Sequence, residues 1–122
     1  MKVSKDVPSS CYAIKNTSNN KLYIGVSNNM QQRIYSHISG LRNGKHPNRN
    51  LQIDYDKHGE TLEYYELEDG IEFKDRSSKE LEWILELESH FPNKGYNLND
   101  KRVEKHLNGP EIVIIQGVPD ID

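Results

Sequence analysis

A chain of 122 residues with 34% hydrophobic and 29% charged residues is long enough for one folded domain, and with seven Tyr it is too apolar for wholesale disorder. Its single cysteine, Cys11, excludes an internal disulfide and a cysteine zinc site, and no apolar run reaches membrane-spanning length. The formal net charge of −3 conceals a split: residues 1–58 carry nine Lys and Arg against three Asp and Glu, and residues 59–122 carry seven against sixteen. A polyanionic partner is therefore not excluded, because binding responds to the local field rather than to the total charge. A soluble protein of a reducing, cytoplasmic compartment is the expectation.

In chain order, "SCYAIKN" (10–16) and "KLYIGV" (21–26) are rich in strand formers and flank the polar turn "TSNN", which predicts a β-hairpin. Gly25 inside the second strand predicts a bulge or a close backbone approach. "SNN" (27–29) offers N-caps. Met30, Ile34, Ile38 and Leu41 then recur at helical spacing until Gly44. Pro47 and Asn48 open a second, short helix with Leu51 and Tyr55 inward and Gly59 as its stop. Residues 61–68, "TLEYYELE", read as a third strand. Residues 76–91 read as a helix with Trp83, Ile84, Leu87 and Phe91 as its apolar stripe and Ser77 and Glu80 as an S-x-x-E capping box. "PNKGYN" (92–97) is a turn. Residues 98–122 are weakly patterned, except that "EIVIIQG" (111–117) suits an added strand and "VPDID" a frayed end. These elements make a small α/β (α+β) domain over residues 1–99, followed by a short acidic extension over 100–122.

Several side chains have two readings. Arg33 and His37, four residues apart on one helix, leave the same face. They are either a phosphate-binding fork beside a proton-accepting imidazole or a surface Arg and a half-buried His. Tyr12 and Tyr23 lie on consecutive strands. They are either ordinary strand residues or phenols that can serve as a base beside a cation. Glu80 is either a helix cap or the one carboxylate that a hard divalent ion requires.

The residues "CYAI" and "LYIG", then Arg33 and His37, His46 in "NGKH", "DKHGE" (56–60), "ELEWI" with Glu80, and "GYN" (95–97) together resemble the ordered motifs of the GIY-YIG nuclease family over roughly residues 10–98. The resemblance implies a small three-stranded mixed or antiparallel sheet flanked by helices. It also implies an endonuclease that cuts phosphodiester bonds in DNA with a single Mg2+ or Mn2+ ion held by Glu80. In that scheme Tyr12 takes a proton from water with Tyr23 beside it, His37 relays a proton, Arg33 stabilises phosphoryl charge and Asn97 braces the site. The carboxylate-free stretch between Asp6 and Asp54 then faces the phosphate backbone, where acids would repel the substrate. Lys15, Lys21, Arg42, Lys45 and Arg49, together with Gly25 and His46, are the expected substrate contacts. The first motif departs from the family in reading Ser10-Cys11-Tyr12. Few residues follow Asn97 to read DNA sequence, which points to a free-standing phage or mobile-element type of enzyme, to a short-site cutter working as a homo-oligomer or with a separate specificity partner, or to a fragment. The competing expectation is a non-catalytic nucleic-acid- or protein-binding module on the same fold.

Overall fold

Apolar alternation in the first thirty residues is realised as the predicted hairpin. In the computed structural model, which describes residues 7–108 and side chains as far as residue 106, β1 (Ser9–Asn16) and β2 (Lys21–Ser27) pair antiparallel, with Tyr12 opposite Gly25 and Ile14 opposite Tyr23. The Asn16 side-chain oxygen accepts bonds from the Ser18 backbone N–H at 3.0 Å and the Ser18 hydroxyl at 2.6 Å, which closes the turn.

β3 (Leu62–Ile71) pairs with the other edge of β1, giving the order β2-β1-β3, antiparallel throughout. It runs past the expected end at residue 68. The reason is a bulge: Ser9 pairs with Ile71, Cys11 with Glu68 and Tyr12 with Glu66, so the register shifts twice within four residues. Gly70 supplies a left-handed φ of 64° there. The bulge lies where β1 begins, beside Tyr12.

Because successive strand residues point to opposite faces, β1 is covered on both. Cys11 and Ala13 join Ile24, Ile71, Ile84 and Val103 in one cluster. The other face holds Leu41, Leu51 and Tyr96, with Tyr23, Tyr55 and Leu62 packed around them. The helices accordingly divide between the two faces. α1 (Met30–Arg42) starts at Asn29, whose side chain accepts from the Gln32 N–H at 3.1 Å. α2 (Arg49–His58) starts at Asn48, which does the same for Leu51, and ends at Gly59 with φ 75°. Both lie on the Tyr12 face. α3 (Arg76–Leu87) and α4 (Lys101–Asn108) supply Ile84 and Val103 to the Cys11 face.

Three expectations need correction. The helix predicted over 76–91 stops at Leu87, because Glu88 adopts a left-handed φ of 58°, and Phe91 is 40% exposed. The capping box does not form: α3 already begins at Arg76, so Ser77 is helical, and the N-cap Asp75 makes no side-chain capping bond. The Ser77 hydroxyl accepts from Arg102 instead, and Glu80 bonds Arg102 rather than its own helix start. Finally, the weakly patterned stretch after residue 98 contains α4, where Asp100 accepts from the Arg102 backbone N–H at 2.8 Å. The strand expected over 111–117 lies outside the described residues.

Candidate active site

The site begins with an atom that is missing. A Cβ on Gly25 would stand 2.4 Å from both Cζ and the hydroxyl oxygen of Tyr12. The close approach predicted at Gly25 is therefore made by the Tyr12 ring, which lies across the β2 backbone and is 1% exposed. Its hydroxyl lies 2.7 Å from His37 Nε2, and His37 Nδ1 lies 2.7 Å from Nε2 of His46. His46 Nδ1 in turn accepts from the Asn48 backbone N–H at 2.9 Å. Tyr23 packs edge-on against both imidazoles, with ring centroids 5.2 Å from His37 and 6.1 Å from His46.

Burial sets the electrostatics of this row. It lowers His37 to about 4, helped by His46 and Arg33, and it lowers His46 as well. Burial also raises the Tyr12 phenol, followed by Tyr23; Arg33 pulls it back down, and Glu80 pushes it up. Tyr23 is raised by burial, then by Glu80, with Arg33 opposing. The Glu80 charge also helps burial raise Cys11 to about 12. Groups from β1, β2, α1 and α3 thus share one local field, although Tyr12 and Cys11 sit on opposite faces of the sheet.

The expected pair on α1 divides its roles. Arg33 is exposed, whereas His37 is 3% exposed. Glu80 has a side chain 19% exposed, with Oε1 held by Arg102 at 2.6 Å; the same guanidinium nitrogen bonds Asp100 at 2.6 Å. Asn97 clasps β2, accepting from the Ile24 N–H at 2.8 Å and donating to the Ile24 carbonyl at 3.0 Å. Gly95 lets that segment pass Ser89, whose backbone a Cβ there would meet at 2.4 Å.

The expected substrate contacts do not all stand alike. Lys45 and Arg49 are exposed, and Lys15 and Lys21 are half-buried. Arg42 is tied to Glu60, which also accepts from the Tyr55 hydroxyl at 3.1 Å. His46 is 7% exposed with both ring nitrogens engaged, so it stands behind Tyr12 rather than in reach of a phosphate. Gly25 is buried beneath Tyr12 and likewise offers no surface to a substrate.

Sequence reasoning missed Arg102, Asp100 and Asn48. Asn48 is legible as an N-cap, but its backbone bond to His46 is not. Nothing in the local pattern marks Arg102, because its partner Glu80 lies 22 residues away.

Among the described residues no three His, Cys, Asp or Glu side chains converge as a metal cage. The carboxylate at hand is Glu80, with Asp100 on the same guanidinium nitrogen, which suits a hard ion that keeps most of its positions for water and phosphate, not a tetrahedral zinc.

A family profile described as the GIY-YIG catalytic domain matches residues 8–97. The chain belongs to the GIY-YIG family. The match runs from just before β1 to Asn97 and stops short of α4. A relative, "Intron-associated endonuclease 1" of Enterobacteria phage T4, is 39% identical over 93 residues, covering 75% of this chain and 37% of the relative. The chain thus accounts for little more than a third of that curated relative's length. Two solved structures agree in fold. A glutamate-to-alanine variant of the catalytic domain of intron endonuclease I-TevI superposes with a TM-score of 0.68 at 36% identity, covering 74% of this chain and 92% of that one. The catalytic domain of homing endonuclease I-TevI gives 0.66 at 36% identity, covering 72% and 95%.

Proposed function

We propose that this GIY-YIG chain is a metal-dependent endonuclease that hydrolyses phosphodiester bonds in DNA. The reading is supported above all by the buried bond of Tyr12 to His37 with Tyr23 packed against that imidazole, and by the influence of Arg33 and Glu80 on both phenols. Glu80 would hold the ion, Mg2+ or Mn2+. When bound, it supplies positive charge beside the scissile phosphate and the leaving oxygen.

The chain's own residues do the rest. The Tyr12 oxygen receives a proton from the attacking water, held in place by His37 at 2.7 Å. The exposed guanidinium of Arg33 faces charge that develops on the phosphoryl oxygens. Tyr23 shields the imidazoles, and Asn97 keeps β2 from sliding. Lys15, Lys21, Lys45 and Arg49 lead the phosphate backbone in. No helix among the described residues is long and apolar enough to cross a membrane.

One observation favours a second reading. Glu80 is already charge-paired with Arg102, as in a module that binds nucleic acid or a protein without cutting. Plasmid nicking in Mg2+ or Mn2+ separates the two. The nuclease reading expects cleavage that Glu80→Ala and Tyr12→Phe each reduce by roughly 100-fold or more. Salt-dependent DNA affinity that survives Glu80→Ala, with no nicking in either ion, would establish the binding module instead.

A further inference from the structure

Hydrogen bonding in the histidine row has a direction. A backbone amide can only donate, so the Asn48 N–H at 2.9 Å obliges His46 Nδ1 to accept. A neutral His46 then carries its one ring proton on Nε2, pointed at His37 Nδ1 2.7 Å away. That contact obliges His37 Nδ1 to accept, so the ring proton of neutral His37 sits on Nε2, facing the Tyr12 oxygen at 2.7 Å. The Tyr12 hydroxyl hydrogen is consequently turned away from His37. Each link follows from the one before it, and the chain starts at an atom whose role is fixed.

We propose that His46 is a positioning residue that locks His37 as a hydrogen-bond donor to Tyr12, so that His37 steadies the Tyr12 oxygen and does not receive its proton. The proposal rests on reading Tyr12 as the base. It replaces the proton relay expected of His37, because Nε2 already bears a hydrogen. A second proton has only Nδ1 to go to, and that position is filled by the His46 N–H. Burial acts in the same direction, with His37 lowered to about 4 by desolvation first, then by His46 and Arg33.

The proton balance changes accordingly. The Tyr12 O–H bond breaks on the side away from His37, its hydrogen passing to water, a loss that burial opposes and Arg33 favours, and the phenolate oxygen is held by the His37 N–H. That oxygen then takes one proton from the attacking water and the O–H bond re-forms. The resulting hydroxide forms the new P–O bond, and the leaving oxygen departs with the electron pair of the broken one and is protonated from water. His46 touches none of the reacting atoms. Its role resembles that of the outer residues that fix imidazole tautomers elsewhere, whose loss typically costs about 10- to 100-fold in activity.

The test is long-range 15N–1H correlation spectroscopy of the full chain labelled at histidine, at pH 7 and without DNA. The spectra should show His37 and His46 both neutral and both protonated on Nε2. A His37 protonated on Nδ1, or charged, would overturn the proposal. In His46→Ala the same spectra should show His37 acquiring an Nδ1–H population; an unchanged His37 would remove His46 from the role. If that variant fails to fold, the wild-type spectra still decide the donor assignment.

Cleavage gives the second readout. His37→Gln keeps an N–H donor but has no usable base, so it should retain activity within about tenfold of wild type, whereas His37→Leu should lose roughly 100-fold. Equal loss in both would mean that His37 does take the proton. The tautomers are read without cleavage, so absence of nicking counts against the nuclease reading and not against the donor assignment.

Discussion

Replacing Gly25 by Ala puts a Cβ 2.4 Å from two Tyr12 atoms, and neither the strand nor the buried ring can give way cheaply. Overpacking of this kind costs about 1–3 kcal/mol, and a hydroxyl displaced by an ångström loses roughly 100-fold in rate. Gly25→Ala should therefore show both a lower urea midpoint and a larger loss of cleavage than that midpoint explains; a full-rate variant would detach Tyr12 from the chemistry. His37 supplies a second test at this scale. Its folded pKa is depressed to about 4 from an unfolded value near 6.5, so between these values the unfolded chain binds the extra proton. Stability from this group is complete above about pH 6.5 and is lost as pH falls through the window toward 4. Between pH 7 and pH 5 the loss is about 2 kcal/mol, in a range where ordinary carboxylates are still ionised. His37→Gln should flatten that slope in urea melts, and an equally steep slope in the variant would assign it elsewhere.

Among the elements, α4 holds the unexpected contact. Arg102 reaches from this helix to Glu80 and Asp100, both at 2.6 Å, and to the Ser77 carbonyl and hydroxyl at 3.2 Å. Its side chain is 34% exposed, so solvent screening limits the net contribution of the pairs to about 1 kcal/mol. Arg102→Ala leaves two carboxylates close together with no cation between them. The variant should melt lower than wild type in the absence of divalent ions and gain more on adding Mg2+, since an ion that binds only the folded state stabilises it. Thermal melts with and without Mg2+ read this without any nuclease assay; equal Mg2+ shifts in both proteins would mean that Arg102 does not compete for Glu80. β1 makes a different point about elements. Its bulge and Gly70 re-aim the strand start beside Tyr12, a consequence of cross-strand register that no single strand reveals.

Across the whole molecule, charge is segregated along the chain, and folding sets part of the acidic half directly against the basic half, with Glu63 opposite Lys15 and Glu60 paired to Arg42. The stretch from Val7 to Ile53 has no carboxylate and supplies β1, β2, α1 and the start of α2, while Glu63, Glu66, Glu68 and Asp69 all lie on the edge strand β3. Binding to short duplex DNA should weaken with salt along a log–log slope of about −3 to −4, as expected if four cations meet phosphate. Lys45→Glu and Arg49→Glu should reduce both slope and affinity in anisotropy titrations, and Glu66→Lys should not. Loss confined to Glu66→Lys would place the DNA on the other side. The sequence by itself determined the hairpin, the two Asn-capped helices and the sheet of three strands, and it singled out Tyr12, Arg33, His37 and Glu80 as candidates, because periodicity, caps and ordered motifs are local or nearly so. Tertiary structure alone decided that Gly25 makes room for Tyr12, that His46 stands behind His37, that Glu80 bonds Arg102 instead of capping α3, and that α4 exists as a packed helix. Each of these depends on residues far apart in the chain sharing an edge or a hydrogen bond, and no spacing along the sequence encodes which way a buried donor must point.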